Sequence, residues 1–143
     1  MGRLIYLLDT NIISEPTKRQ PNKNVLHHLE KQDGHYCIAA PVWHELHYGC
    51  ALLPDSKRKN QLQSYLKLLM DNGLDVLPYD IHASTWFAME RGRLQRQGLS
   101  CNYTDGEIAA IAASQSLIMV TRNTTDFQNF QGLTLQNWFY GII

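Results

Sequence analysis

The spacing of hydrophobic residues changes several times along the chain, and each change marks an element. Residues 4–8 form a continuous apolar run closed by Asp9-Thr10-Asn11. A run of this kind is expected of a strand buried on both faces, as in a parallel sheet. Shorter runs predict strands over residues 36–39, 75–77, 117–121 and 133–135. Between them the period lengthens to that of a helix. Residues 25–31 are predicted helical, and so are 41–53, with Pro41 at a first helical position and Val42, Leu46, Gly49 and Leu53 on one face. Residues 56–71 place Leu62, Tyr65, Leu66 and Leu69 at helical spacing, and Gly73 is positioned to stop that helix. Residues 81–97 then run up to Gly98 as a cap, and 104–115 carry Ile108, Ala109, Ile111 and Ala112.

Strands separated by one or two helices indicate a wound α/β fold with a central parallel sheet. With 143 residues, 44% of them hydrophobic, the chain is expected to form one unit over 1–143 with a core that needs no staples. The segment 53–56 is the one candidate hinge, and the helix pair beyond it, over 56–97, could project from the sheet, which would leave an apolar face open to a partner. Thirteen Lys and Arg balance thirteen Asp and Glu, so nucleic-acid contact must come from local charge and not from a global field. Cys37, Cys50 and Cys101 are odd in number and form no CxxC pair. This argues against a disulfide framework or a cysteine zinc site and for a reducing compartment. No apolar run approaches the ~18 residues of a membrane span, and the opening run is too short for a secretory leader. A soluble, cytoplasmic protein with no membrane partner is expected.

Ligands of open α/β sheets bind beyond the carboxyl ends of the strands, and acids gather there. Asp9 follows the first strand directly, where it can cap the next helix, occupy the binding crevice, or both. Glu45 lies about one turn into the helix after the second strand, beside its apolar stripe. Asp105 falls in Thr104-Asp105-Gly106-Glu107, which reads locally as a capping box with Thr104 as cap and Glu107 as its reciprocal partner. A capping box does not explain the company Asp105 keeps, because the segment after the fourth strand adds Asp126, with Asn123 nearby. Carboxylates gathered from separate elements raise one another's pKa unless a cation neutralises them. An all-oxygen set without paired His or Cys favours magnesium or manganese, with phosphoryl transfer or hydrolysis as the implied chemistry.

Four stretches together, LLDTNIISE at 7–15, WHELHYG around Glu45, TDGEIAAIAAS around Asp105 and VTRNTTDF at 120–127, resemble the PIN-domain ribonucleases. The likeness is to the VapC-type toxins of bacterial toxin–antitoxin pairs, and it spans nearly the whole chain. It implies a three-layer α/β/α sandwich and magnesium- or manganese-dependent endonucleolytic cleavage of RNA, with water as the nucleophile. Asp9, Glu45 and Asp105 would form the metal-binding core. The fourth acid of the family pattern is assigned to Asp126, with Asn123 as a hydrogen-bonding substitute, while Asn11, Ser14 and Thr121 match polar positions that orient ligands or water. The resemblance also implies a homodimer and an antitoxin whose C-terminal segment covers the active-site groove.

Of the basic clusters, Lys57-Arg58-Lys59 reads as a solvated face, whereas Arg91, Arg93 and Arg96, which precede the Asp105 helix, are candidate RNA phosphate contacts. His44 and His47 have a spacing that can hold zinc, but their order is not that of an HExxH site. Trp43, Trp86 and Trp138 are expected as core or interface anchors. A dehalogenase-like phosphatase would want a second Asp where Asn11 stands. The competing function is a PIN-fold module that binds RNA or protein with little or no catalysis, and its support is the Asn at 123.

Overall fold

The computed structural model describes residues 3–140, so the two ends of the expected 1–143 unit lie outside the described residues. Its framework is a parallel sheet of β1 (Tyr6–Leu8), β2 (Tyr36–Ala39), β3 (Asp75–Leu77), β4 (Ile118–Val120) and β5 (Leu135–Gln136). The strand order is β3-β2-β1-β4-β5, and every pairing is parallel. Tyr6 stands opposite Tyr36 on one side and Ile118 on the other, and Leu8 stands opposite Val120. Leu7, Leu8, Cys37, Ile38, Ala39, Met119 and Val120 are all fully buried, which is why the central strands read as unbroken apolar runs and not as alternation.

Helices flank this sheet in the three-layer arrangement expected from the sequence. They are α1 (Thr10–Ile13), α2 (Lys23–Lys31), α3 (Ala40–Ala51), α4 (Lys57–Asp71), α5 (Ile81–Arg96) and α6 (Tyr103–Ser114). Side-chain caps set most of their starts: Asn22 accepts from Asn24 N and Val25 N, Ser56 from Lys59 N, and Asp80 from Ala83 N. Beyond the ends of α4 and α5, Gly73 and Gly98 take positive φ of 83° and 74°, a conformation that only glycine adopts without strain.

Two expectations are corrected. First, α6 begins one residue before Thr104, and its cap is Asn102, whose side chain accepts from Asp105 N at 3.0 Å. The Thr104/Glu107 capping box therefore does not form, and Glu107 lines a cavity instead. Second, the segment 56–97 is not a projecting hairpin. β3 separates its two helices, and α4 lies against α3 while α5 lies against α6. Between α3 and α4 an apolar groove of about 640 Å³ is left, lined by Trp43, His47, Cys50, Leu66 and Met70 among others.

Strand order also fixes where a ligand can sit. From β1 the chain winds to β2 and β3 on one side, then returns to place β4 on the other side of β1. The carboxyl ends of β1 and β4 therefore mark the topological switch point, where open α/β sheets bind ligands.

Candidate active site

Asp9 is the first residue beyond β1, and its N–H donates to Val120 O at 2.8 Å, extending the β1–β4 pairing into the crevice. Its side chain caps α1, as the local reading of this residue expects, from a position at the carboxyl end of the central strand. One carboxylate oxygen accepts from Thr10 N at 2.8 Å. The other accepts from the Thr121 hydroxyl at 2.8 Å and, at 3.4 Å, from the Asn11 amide. Asn11 also takes the Arg122 N–H on its Oδ1 at 3.0 Å, and Asn123 N donates to Thr121 Oγ1 at 3.1 Å. Residues from the ends of both central strands thus fix one buried carboxylate, as the polar neighbours of a metal-binding acid are expected to do. Ser14 forms the C-cap of α1, its N–H donating to Thr10 O at 3.0 Å.

Asp105 enters from the first turn of α6, and Asp126 from a short 3-10 turn over Thr124–Asp126. Burial raises the pKa of Asp9 against the lowering effect of its hydrogen bonds to Thr121, Thr10 and Asn11, and the charge of Asp126 adds to the rise. Asp105 is pushed up to about 6, by burial first and then by the charges of Asp9 and Asp126. The charge of Asp126 therefore reaches both other acids, and that of Asp9 reaches Asp105. The ion pairs among the described residues are Lys18–Glu15, Lys67–Asp71 and Arg93–Glu90, so no basic side chain neutralises the trio.

Glu45 takes a different place. It is exposed on α3 and lines a cavity of about 410 Å³ with Pro41, His44, Tyr79, Thr104 and Glu107, of which Thr104 directly precedes Asp105 in the chain. Its charge is not among those that raise Asp9 or Asp105. Among the described residues no three His, Cys, Asp or Glu side chains stand as a ready-made metal cage. The donor set still fits a hard divalent cation that keeps part of its water shell, since it is all oxygen, crowded with like charge and lacks an ion-pair partner. The imidazoles do not converge: His44 stacks on Tyr48 at 6.1 Å and His47 meets Trp43 at 4.3 Å, centroid to centroid.

The basic residues fall into two groups. Arg93 is held in an ion pair with Glu90 and also donates to Asn129 O and Gln97 Oε1. Glu90 in turn accepts from Gln131 N at 2.9 Å, which ties α5 to the loop that follows Asp126. Arg91 is exposed and lies over the Tyr103 ring at 5.0 Å, two residues before Asp105. Arg96 is exposed as well. Sequence reasoning missed Arg122, whose neighbours include no second basic residue to form a cluster.

The crowding of the acids has a measurable consequence for the metal-free chain. A carboxyl whose pKa is higher folded than unfolded binds its proton more tightly when folded, so stability falls as pH rises from the ordinary 3.8 through about 6. Solvent screening holds this cost near ~1 kcal/mol. Asp105→Asn is therefore expected to raise the melting temperature in chelator at neutral pH by about 2–4 °C. The gain should shrink as pH falls below about 6. A lower melting temperature for the variant at neutral pH would contradict this reading.

The family model for the PIN domain matches residues 6–133. Toxin FitB of Neisseria gonorrhoeae is 38% identical over 130 residues, covering 86% of this chain and 91% of that protein. The tRNA(fMet)-specific endonuclease VapC of Shigella flexneri is 33% identical over 138 residues, covering 94% and 98%. Among solved structures, VapBC2 from Rickettsia felis bound to a DNA fragment from its promoter superposes with a TM-score of 0.80 at 28% identity, covering 94% of this chain and 99% of that one.

Proposed function

The chain belongs to the PIN domain family, and from that premise we propose that it is a VapC-type toxin, a magnesium- or manganese-dependent endoribonuclease that hydrolyses RNA phosphodiesters. The observation that carries this reading is the trio of Asp9, Asp105 and Asp126. These acids lie at the switch point of the sheet, the charge of Asp126 adds to the rise at Asp9 while Asp9 and Asp126 both add to the rise at Asp105, and none of the three has an ion-pair partner among the described residues.

Asp9, Asp105 and Asp126 would hold the cation, with Glu45 closing the site from α3. When bound, the ion supplies Lewis acidity at the scissile phosphate and lowers the pKa of the attacking water. The chain's own residues supply position. Thr10 N, Thr121 Oγ1 and the Asn11 amide lock the Asp9 carboxylate before substrate arrives, so little reorganisation is left for the reaction itself. Asn11 also fixes the backbone at Arg122, keeping the ends of β1 and β4 at a constant separation. Arg91 and Arg96 would meet RNA phosphates on the α5 side, while Arg93 secures the loop after Asp126.

A cytoplasmic RNA target and a cognate antitoxin complete the reading. The antitoxin is supported by the VapBC2 structure from Rickettsia felis among the structural neighbours. In a bacterial host, expression of the chain without its antitoxin is expected to arrest growth, and Asp105→Asn at equal expression is expected to relieve the arrest. Equal arrest by both proteins would contradict a nuclease toxin.

A further inference from the structure

A strand of RNA must lie across a cluster of carboxylates to be cut there, and the backbone on either side of the cut needs positive charge to stay. The sequence as a whole supplies none, with thirteen basic and thirteen acidic residues. Local cations at the crevice must do this work, and Arg122 stands directly at it. Arg122 follows Thr121, whose hydroxyl holds Asp9 at 2.8 Å.

Arg122 is fixed at both ends of its backbone unit. Its N–H donates to Asn11 Oδ1 at 3.0 Å, and its carbonyl accepts from Asn137 Nδ2 at 3.3 Å. Phe139 orients the side chain, because the guanidinium carbon lies 4.5 Å from the centre of that ring. Phe139 is itself anchored, with its N–H on Asn137 Oδ1 at 2.9 Å and its carbonyl accepting from Asn24 Nδ2 at 3.1 Å. An arginine stacked on an aromatic face keeps its in-plane N–H groups open for a further partner. Arg122 is exposed and makes no ion pair among the described residues. Arg93, by contrast, already has Glu90 as its partner.

We propose that Arg122 is a substrate-binding residue of the active site, in which its guanidinium, held flat by Phe139, grips a phosphate of the RNA strand beside the acids. The inference rests on the nuclease reading above and adds a residue to it. Arg91 over Tyr103 is the matching stacked arginine near Asp105, so that stacked cations stand next to both Asp9's partner Thr121 and the start of α6. Phosphate suits this arrangement because the planar fork of arginine binds two of its oxygens at once.

The test measures binding of a labelled single-stranded RNA oligonucleotide of mixed sequence, in magnesium, in the Asp105→Asn background so that the probe is not consumed. For single strands the slope of log affinity against log salt changes by about 0.7 for each phosphate contact. Adding Arg122→Ala is expected to flatten the slope by about that amount and to weaken binding about tenfold at moderate salt. Arg122→Lys should restore the slope but only part of the affinity, since it keeps the charge and loses the fork and the stacking. Phe139→Leu should keep the slope and lose affinity. In cutting assays with Asp105 restored, the Arg122→Ala loss should fall on KM more than on kcat.

Arg122→Ala with wild-type slope and affinity, in a preparation that melts like its parent, would overturn the assignment and leave the guanidinium for a protein partner. That result is separable from failure of the nuclease reading. If the unmodified chain cuts RNA while Arg122→Ala binds as tightly as its parent, the Arg122 assignment alone falls. If the unmodified chain neither binds nor cuts RNA, both fall.

Discussion

Asp9→Asn is expected to lower RNA cleavage by at least about a thousandfold, because the charge stabilisation that a bound cation supplies amounts to several kcal/mol and each ~1.4 kcal/mol is a factor of ten. The substitution removes one negative donor from a trio in which Asp9 is the most completely fixed member. Its oxygens are already held by Thr10 N, Thr121 Oγ1 and the Asn11 amide. An asparagine can preserve most of that arrangement. Its single oxygen can cap α1 through Thr10 N, and the Thr121 hydroxyl can rotate to accept from the new amide. Burial and the charge of Asp126 disfavour the ionised carboxyl in the metal-free chain, so a neutral side chain of the same shape should not lower the melting temperature. Activity lost together with stability would mean that Asp9 is structural. Activity retained with stability unchanged would remove it from the chemistry.

The second large effect belongs to Gly106, which separates Asp105 from Glu107. A Cβ at Gly106 would stand 2.1 Å from Phe87 Cζ and 2.2 Å from Phe87 Cε1, well inside contact distance. Phe87 is 2% exposed within the α5–α6 packing and is met edge-on by Tyr103 at 5.2 Å, so its ring has nowhere to swing. Alanine in place of glycine would normally favour a helix by about 1 kcal/mol. Here overpacking, typically about 1–3 kcal/mol and at times more, should outweigh that gain. Gly106→Ala is expected to destabilise, and Gly106→Val to lower the melting temperature by at least about 10 °C. Phe87→Leu should recover part of the Gly106→Ala loss, because residues in contact do not act additively. Full additivity would show that the clash is relieved elsewhere. The same close approach sets α6 against α5, and with it the position from which Asp105 enters the crevice.

Much of this was legible in the sequence where a single local pattern dominates. Strands 36–39 and 75–77 coincide with β2 and β3, and the long apolar run at 4–8 contains β1. The outermost strand was harder: β5 is only Leu135–Gln136, displaced from the expected 133–135, because an edge strand of two residues has no period to read. The start of α6 differs from the expected one because Asn102 and Thr104 are both good caps, and local pattern does not choose between them. The acids show the same division. Asp9 and Asp126 stand out because they lie just beyond strands and Asp105 because it opens a helix; these are separate elements, and only the fold lets the charges of Asp9 and Asp126 reach Asp105. Glu45 was placed on the correct helix, but its cavity with Glu107 and His44 depends on how α3 meets α6.

The arginines mark where sequence reading stops. Arg93 looked like a phosphate contact because it stood in a basic cluster, yet its partners Glu90 and Asn129 show it tying α5 to the loop after Asp126. Arg122 had no cluster to draw attention to it. Its importance comes from Asn11 and Phe139, which are distant in sequence and adjacent only once β1 and β4 are paired. Charge density along a chain reports solvated surface well, but it cannot tell which cations the fold has already partnered.

Cleavage of labelled, structured RNAs by the purified chain in magnesium, in manganese and in chelator, with Asp9→Asn purified in parallel, is the most direct test of a metal-dependent nuclease. Cutting that needs the metal, stops in chelator and is missing from Asp9→Asn is the result this account predicts. Cutting that survives the chelator, or that Asp9→Asn performs as well as its parent, would contradict a metal-dependent nuclease built on these acids.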